Sequence, residues 1–385
     1  MDNNINVQIK EAKKLYNSKK YEESLNLYEK LFNENPDEFR INELISYSWA
    51  IYQVHVKNFK SEDELFDAAD LITELIPQSD LNSVNTCPYA FSVMEVLKYL
   101  DGENQYYNMD LWFDKIDPKL LDVKKNSQNF RSRRERFYEY VSKAHLACAE
   151  WELCIESSNE ALKSVQNFTN HGDVWHKWRI AKSLRELNRC EEALEYLNEV
   201  VKVKKEWFVF RELAENYHIL NDDENALKYI SKAILTKGPV KMKVNLYCFA
   251  YKLLENSDEE MAYRHAELCY LLKLESNTPI PDELEDLMIE ADNLDKNHLI
   301  MQINDYWNDF RFQNQELKYG TVTKFVEDRN FGFIKIDDNE SVFFHESEFK
   351  GDNIYVGQLV SFYIEESFDK SKNEKSIKAV NIRGE

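Results

Sequence analysis

Apolar positions recur with two different periods along the chain, and the change falls at Tyr319. Before it the spacing is helical. In VQIKEAKKLYNSKKYEESLNLYEKLFNENPD, residues 7–37, Ile9, Ala12, Leu15 and Tyr16 share one stripe, and Leu25, Tyr28, Leu31 and Phe32 share another. Residues three and four apart lie on one helix face, so each stripe predicts a helix. The polar NSKK separates the two, and Pro36 ends the pair because its ring interrupts a helix. Such a hairpin cannot cover its own apolar surface and needs stacked neighbours.

Those neighbours are legible as repeats. VWHKWRIAKSLRELNRCEEALEYLNEVV, WFVFRELAENYHILNDDENALKYISKAIL and KVNLYCFAYKLLENSDEEMAYRHAELCYLL superimpose. Each carries a small residue in its first helix (Ala181, Ala214, Ala250) and another twelve positions on (Ala193, Ala226, Ala262). A larger side chain there would push the crossing helices apart. Residues 135–168 form a degenerate fourth copy. Pro36, Pro77 and Pro118, 41 residues apart, close two further stretches. These pair SYSWAIYQVHV with ELFDAADLITELI, and YAFSVMEVLKYL with NMDLWFDKI; a separate helical subdomain is the alternative. After Pro279 and Pro281, two helices are expected, broken near 295–298. One carries Leu284, Leu287, Met288, Ala291 and Leu294. The other carries Leu299, Ile303, Tyr306, Trp307 and Phe310, and caps the array.

The pattern over 7–37, 174–203, 207–237 and 243–273 resembles the tetratricopeptide repeat family. Leu213, Ala214, Tyr217, Ala226 and Ala233 fall on its small and aromatic positions, and Pro36 and Pro239 fall near its closing proline. The resemblance implies an α–α superhelix whose concave face binds peptides or helices.

From Tyr319 the period becomes two. YGTVTKFVED, FGFIKIDD, SVFFHE, QLVSFYIEES and SIKAVNIR read as five strands, enough for a small closed barrel. Alternation sorts their side chains. Lys335 shares a face with Phe331 and Phe333, so that face is outside and Ile334 and Ile336 are inside. Val342 and Phe344 share one face of the next strand, and Phe343 and His345 the other. Two neighbouring strands thus display Phe331, Phe333, Phe343 and His345 together. Exposed rings in a cluster mark a binding surface, and unpaired bases stack on such rings.

Residues 319–382 resemble the cold-shock domain family, an oligonucleotide-binding (OB) barrel. RNFGFI matches its first ribonucleoprotein motif and VFFHES its second; GQLVSFYIEE and KAVNI follow in order. The resemblance implies a stacking platform of Phe325, Phe331, Phe333, Phe343 and His345. It places Arg329 near the nucleic-acid backbone, and Lys375 and Lys378 at the edge of the face. The chain departs from the family at Lys324, where a Trp is usual, at Glu346, where an aromatic is usual, and at Asn330, where a Gly is usual.

Charge qualifies this picture. The 385 residues hold 49 Lys and Arg against 70 Asp and Glu, a net −21. Residues 318–385 hold 10 basic and 13 acidic residues, a net −3, which leaves −18 for the rest. A chain so acidic does not grip phosphates over its whole surface. It suits a basic protein partner and one local nucleic-acid site. The one basic cluster of the helical part is KKNSQNFRSRRER, 124–136, read as a helix start with ion pairs or as a phosphate-contacting patch.

Six scattered cysteines with no C-x-x-C pair are expected to be reduced, buried thiols of a cytoplasmic protein. MDNNINVQIKEAKK lacks an apolar run after a basic start, so no signal peptide is expected. No run approaches the roughly 18 apolar residues of a membrane span. His171 and His176 lack further ligands nearby, so no metal site is expected, and no cofactor. No Gly-rich phosphate loop or nucleophile elbow points to an enzyme. Asn-, Lys- and Tyr-rich usage fits an AT-rich bacterial genome.

The expected architecture is mainly α with a C-terminal barrel. It runs as N-terminal repeats over 1–122, tetratricopeptide repeats over 123–278, capping helices over 279–316 and the barrel domain over 317–385. The expected function is a nucleic-acid-binding adaptor. The barrel takes single-stranded RNA or DNA, Lys324 included among its contacts, while the repeats hold a protein partner, with a regulatory or defence role in a bacterium. The alternative is a protein scaffold whose barrel is structural or a docking module.

Overall fold

A computed structural model describes residues 3–123, 130–288, 295–336, 340–351, 353–369 and 374–385. It divides into two compact units, residues 1–205 and 206–385. The first unit runs through α1 (Asn3–Asn17), α2 (Tyr21–Glu34), α3 (Ile41–Ile51), α4 (Glu62–Leu75), α5 (Pro88–Gly102), α6 (Asp110–Phe113), α7 (Arg133–Ala147), α8 (Trp151–Ser164), α9 (Gly172–Glu186) and α10 (Cys190–Val203). The second holds α11 (Trp207–Ile219), α12 (Asp223–Leu235), α13 (Val244–Leu254), α14 (Glu259–Glu275), α15 (Asp282–Leu287) and α16 (Lys296–Phe312), followed by the strands.

Successive helices pack as hairpins, as the stripes predict. Tight turns inside the hairpins place Lys19, Ala149, Asn188 and Asn221 at φ of 62, 59, 60 and 59°. Two of the four are Asn, whose short polar side chain tolerates this left-handed region. Ala181, Ala193, Ala214, Ala226 and Ala250 are fully buried at the crossings, and Ala262 nearly so. The repeats are thus helical hairpins packed closely at small-residue crossings.

Three expectations change. NMDLWFDKI does not form a full helix: α6 is one turn, preceded by a 3-10 turn over Tyr106–Met109. Its end is held by distant groups instead. Tyr89 Oη donates to Lys115 O (2.6 Å), Asp117 N donates to Gln78 Oε1 (2.9 Å), and Leu81 N donates to Leu120 O (2.8 Å). The helix expected after Pro281 is described only as α15, and Ala291 and Leu294 lie outside the described residues. The cysteines are not all thiols. Cys248 on α13 and Cys269 on α14 form a disulfide across the hairpin, with Cα atoms 5.5 Å apart, because the helix crossing brings them together. Cys87, Cys148, Cys154 and Cys190 are free.

In the second unit α16 packs against α12 and α14. Asp295 caps its start, accepting from Asn297 N at 2.9 Å. Trp307 is fully buried and donates from Nε1 to His265 Nε2 on α14 at 2.8 Å.

The strands β1 (Lys318–Val326), β2 (Phe331–Lys335), β3 (Ser341–His345), the two-residue β4 (Phe349–Lys350), β5 (Leu359–Asp369) and β6 (Glu374–Gly384) form one sheet in the order β3-β2-β1-β5-β6-β4. A parallel β3–β6 pairing at Phe343 and Lys378 closes it into a barrel. The core is Val322, Ile334, Val342, Phe344, Val360, Phe362, Ala379 and Ile382. The barrel leans on α16: Phe312 stacks on Tyr363 at 4.6 Å between ring centres, and Arg311 pairs with Glu365.

Candidate nucleic-acid interface

The alternation in β2 and β3 divides the rings as expected. Phe344 and Ile334 are fully buried, Phe343 is 37% exposed, and Phe331 and Phe333 are half-buried on the same outer side. Antiparallel pairing sets Phe331 opposite His345 and Phe333 opposite Phe343. The three Phe rings touch one another: centres are 5.7 Å apart for Phe331–Phe343, 5.9 Å for Phe333–Phe343 and 6.0 Å for Phe331–Phe333. Their mutual tilt, 31° to 87° between ring planes, turns both faces and edges outward.

Gly332 lets this layer sit flat on the barrel. A Cβ there would lie 2.5 Å from Lys324 O and 2.5 Å from the Phe344 ring. His345 is exposed, and its Nδ1 accepts from the Ser347 N–H at 3.2 Å. The neutral ring therefore carries its proton on Nε2, pointing away from that turn.

Phe325 is not brought to this face. A bulge between Val322 and Lys324 shifts the β1–β2 register, so that Lys324 stands opposite Phe333 and Phe325 opposite Gly332. One residue of slip turns a side chain to the other face. Phe325 packs against the barrel core, its ring parallel to Phe344 at 6.2 Å. Lys324 and Arg329 are exposed, and no ion pair engages either among the described residues.

Lys378 is at the edge of the rings, as the β3–β6 pairing requires, but its ammonium is occupied. Its Nζ lies 3.0 Å from Glu348 and 3.5 Å from Glu365. Lys375 lies on β6 opposite Phe368 in the backbone register; its side chain is outside the described residues. The departures at Asn330 and Glu346 are linked. Asn330 takes φ 55°, where Gly is usual. Its amide donates to Glu346 Oε2 at 3.0 Å, and Glu346 N donates to Asn330 O at 2.8 Å. The acid is thus held at the rim of the ring face.

The basic cluster of the helical part is largely paired within its own unit. Arg133 meets Asp122 at 2.8 Å and stacks on Phe91, Arg131 pairs with Glu139, and Arg134 donates to Lys119 O and Leu121 O. Arg136 is exposed; Lys124 and Lys125 lie outside the described residues. No helix among the described residues is long and apolar enough to cross a membrane.

Two family models match parts of the chain. The family described as "'Cold-shock' DNA-binding domain" matches residues 318–384, and one described as "Domain of unknown function (DUF7017)" matches residues 174–302. No curated protein matches. Among solved structures the chain is similar to the apo form of RapI (12% identity, TM-score 0.42, covering 79% of this chain and 86% of that one). It is similar to the C-terminal part of a TPR repeat-containing protein from Cytophaga hutchinsonii (13% identity, TM-score 0.32, 80% and 93% covered). It is also similar to a human IFIT1 dimer with PPP-AAAA (14% identity, TM-score 0.38, 76% and 68% covered). The chain joins stacked helical hairpins to a C-terminal barrel that matches the cold-shock family over residues 318–384.

Proposed function

We propose that this chain is an adaptor that stacks single-stranded RNA or DNA on the barrel while its helical repeats hold a protein partner. The observation that carries the reading is the triangle of Phe331, Phe333 and Phe343, outward-facing on a buried layer of Ile334 and Phe344. Lys324, Arg329 and His345 supply exposed donors around it, and Lys375 and Lys378 belong to the adjoining strand. Both parts are of types that are typically non-catalytic, and the reading needs no cofactor. The net −21 of the chain favours a basic protein partner. The regulatory form of the reading has a physical route. A phosphate drawn to Lys378 loosens its hold on Glu365, which also pairs with Arg311 of α16.

Fluorescence anisotropy of the full chain with labelled oligo-dT and oligo-U at low salt tests the reading. Binding that disappears in a folded Phe331→Ala/Phe343→Ala variant supports it; undiminished binding by that variant sinks it. A scaffold whose barrel only docks protein is the second reading, favoured by the neutralised Lys378 and by Glu346 at the rim. Absence of binding to either oligomer selects it.

A further inference from the structure

We propose that Asp110, His145 and Glu150 form a binding site for a divalent transition cation of the zinc class. The three residues come from separate elements of the first unit. Asp110 opens α6, His145 lies in the last turn of α7, and Glu150 stands immediately before α8. Their ligand atoms all lie within 4.8 Å of one another, and His145 Nε2 is 3.9 Å from Glu150 Oε2.

The tautomer of His145 makes this a donor set rather than a hydrogen-bonded cluster. Ser157 Oγ donates back along its own helix, to Leu153 O at 2.8 Å with Cys154 O at 3.2 Å. The serine oxygen, 3.3 Å from His145 Nδ1, is then left to accept from that ring nitrogen. With the proton on Nδ1, Nε2 turns a lone pair toward the two carboxylates. Two anions and one lone pair converge with no N–H between them, an arrangement that a cation relieves. No lysine or arginine pairs with Asp110 or Glu150 among the described residues. A hydrogen-bond acceptor for the far ring N–H is also how metal-bound histidines are oriented.

The backbone holds the ligands in place. Ala149 at φ 59° reverses the chain, and Glu150 N donates to His145 O at 2.9 Å, which returns the carboxylate over the imidazole. Phe113 meets the His145 ring edge-on at 5.9 Å between centres. One imidazole and two carboxylates suit zinc, at about 2.0–2.2 Å from each ligand with water completing the tetrahedron. Magnesium and calcium prefer all-oxygen sets. The bound ion would fasten the one-turn α6 to the α7–α8 hairpin, where a longer helix would otherwise supply the packing.

The test is calorimetric titration of the chelator-stripped full chain with Zn2+ alone, under reducing conditions, with a thermal melt alongside. We expect one equivalent bound and a Tm raised by a few degrees. His145→Ala and Asp110→Asn should each weaken binding by at least about tenfold, while His171→Ala leaves it unchanged. Asp110 is exposed, so its variant retains the fold if His145→Ala does not. Zn2+ binding that persists in the Asp110→Asn variant overturns the three-ligand site. So does the absence of binding and of any Tm shift in the unmodified chain.

Discussion

Lys378 donates from Nζ to Glu348 Oε1 across 3.0 Å, beside Phe343, its register partner on β3. This cation beside the ring face is therefore already neutralised. Releasing it should let it reach one more phosphate. Glu348→Gln is expected to tighten oligonucleotide binding several-fold. It should also steepen the dependence of log K on log salt by about 0.7 for that added phosphate. Anisotropy titrations at several salt concentrations measure both; an unchanged slope would mean that Lys378 stays unavailable.

The rings make a graded prediction. Phe331→Ala, Phe333→Ala and Phe343→Ala should each cost roughly 1–3 kcal/mol of binding, one stacked base apiece. Lys324→Trp should strengthen binding by a similar amount, because position 324 stands opposite Phe333 on the same face. Phe325→Leu should instead lower the melting temperature, with the affinity of the folded protein unchanged, since that ring packs against Phe344. A Phe325 variant that keeps its stability and loses affinity contradicts the bulged β1–β2 register.

Gly332 is a packing constraint. Adding one methyl there meets Lys324 O and the Phe344 ring at 2.5 Å. Neither partner is the free end of a flexible side chain. Gly332→Ala should destabilise the barrel by about 1–3 kcal/mol, the ordinary cost of overpacking. Denaturant unfolding followed by circular dichroism reads it, and an unchanged midpoint would show that the strands part without cost.

Acid should loosen the seat of α16. His265 is fully buried, and burial lowers its pKa to about 4 from 6.5. Nδ1 donates to Met261 O at 2.6 Å, so Nε2 is the acceptor for Trp307. The native state keeps the ring neutral, and the unfolded chain takes up a proton first as pH falls. This contribution is complete above pH 6.5 and is lost progressively down to about pH 4. The loss is on the order of 3 kcal/mol. His176, buried with a pKa lowered to about 3, adds a loss of the same sign in the first unit. Unfolding midpoints between pH 7 and 4, with Trp307→Phe as the comparison, test the His265 part. A pH-independent midpoint in the unmodified chain refutes it.

Much of the fold was readable because its signals are local. The alanines at 181, 214 and 250 mark helix crossings whatever lies further away. The alternation in FGFIKI and SVFFHE settles which rings face out, because the strand itself sets the period. Phe325, placed on the platform by the resemblance alone, follows a bulge in β1 that no glycine or proline announces. Local logic failed at NMDLWFDKI, where contacts to residues 26–39 positions away replace helical hydrogen bonds.

The sequence alone determined the two periods, the change at Tyr319, the hairpin order of the helices and the outward Phe331, Phe333 and Phe343. These depend on neighbours two to four residues apart, whose relative directions the backbone dictates. Only the tertiary structure decided that Lys378 answers to Glu348 and Glu365, that Cys248 meets Cys269, and that Asp110 reaches His145 and Glu150. Each of those meetings joins residues far apart in the chain. Distance along the sequence carries no charge and no direction, so the partner becomes known only when the packing has brought it near.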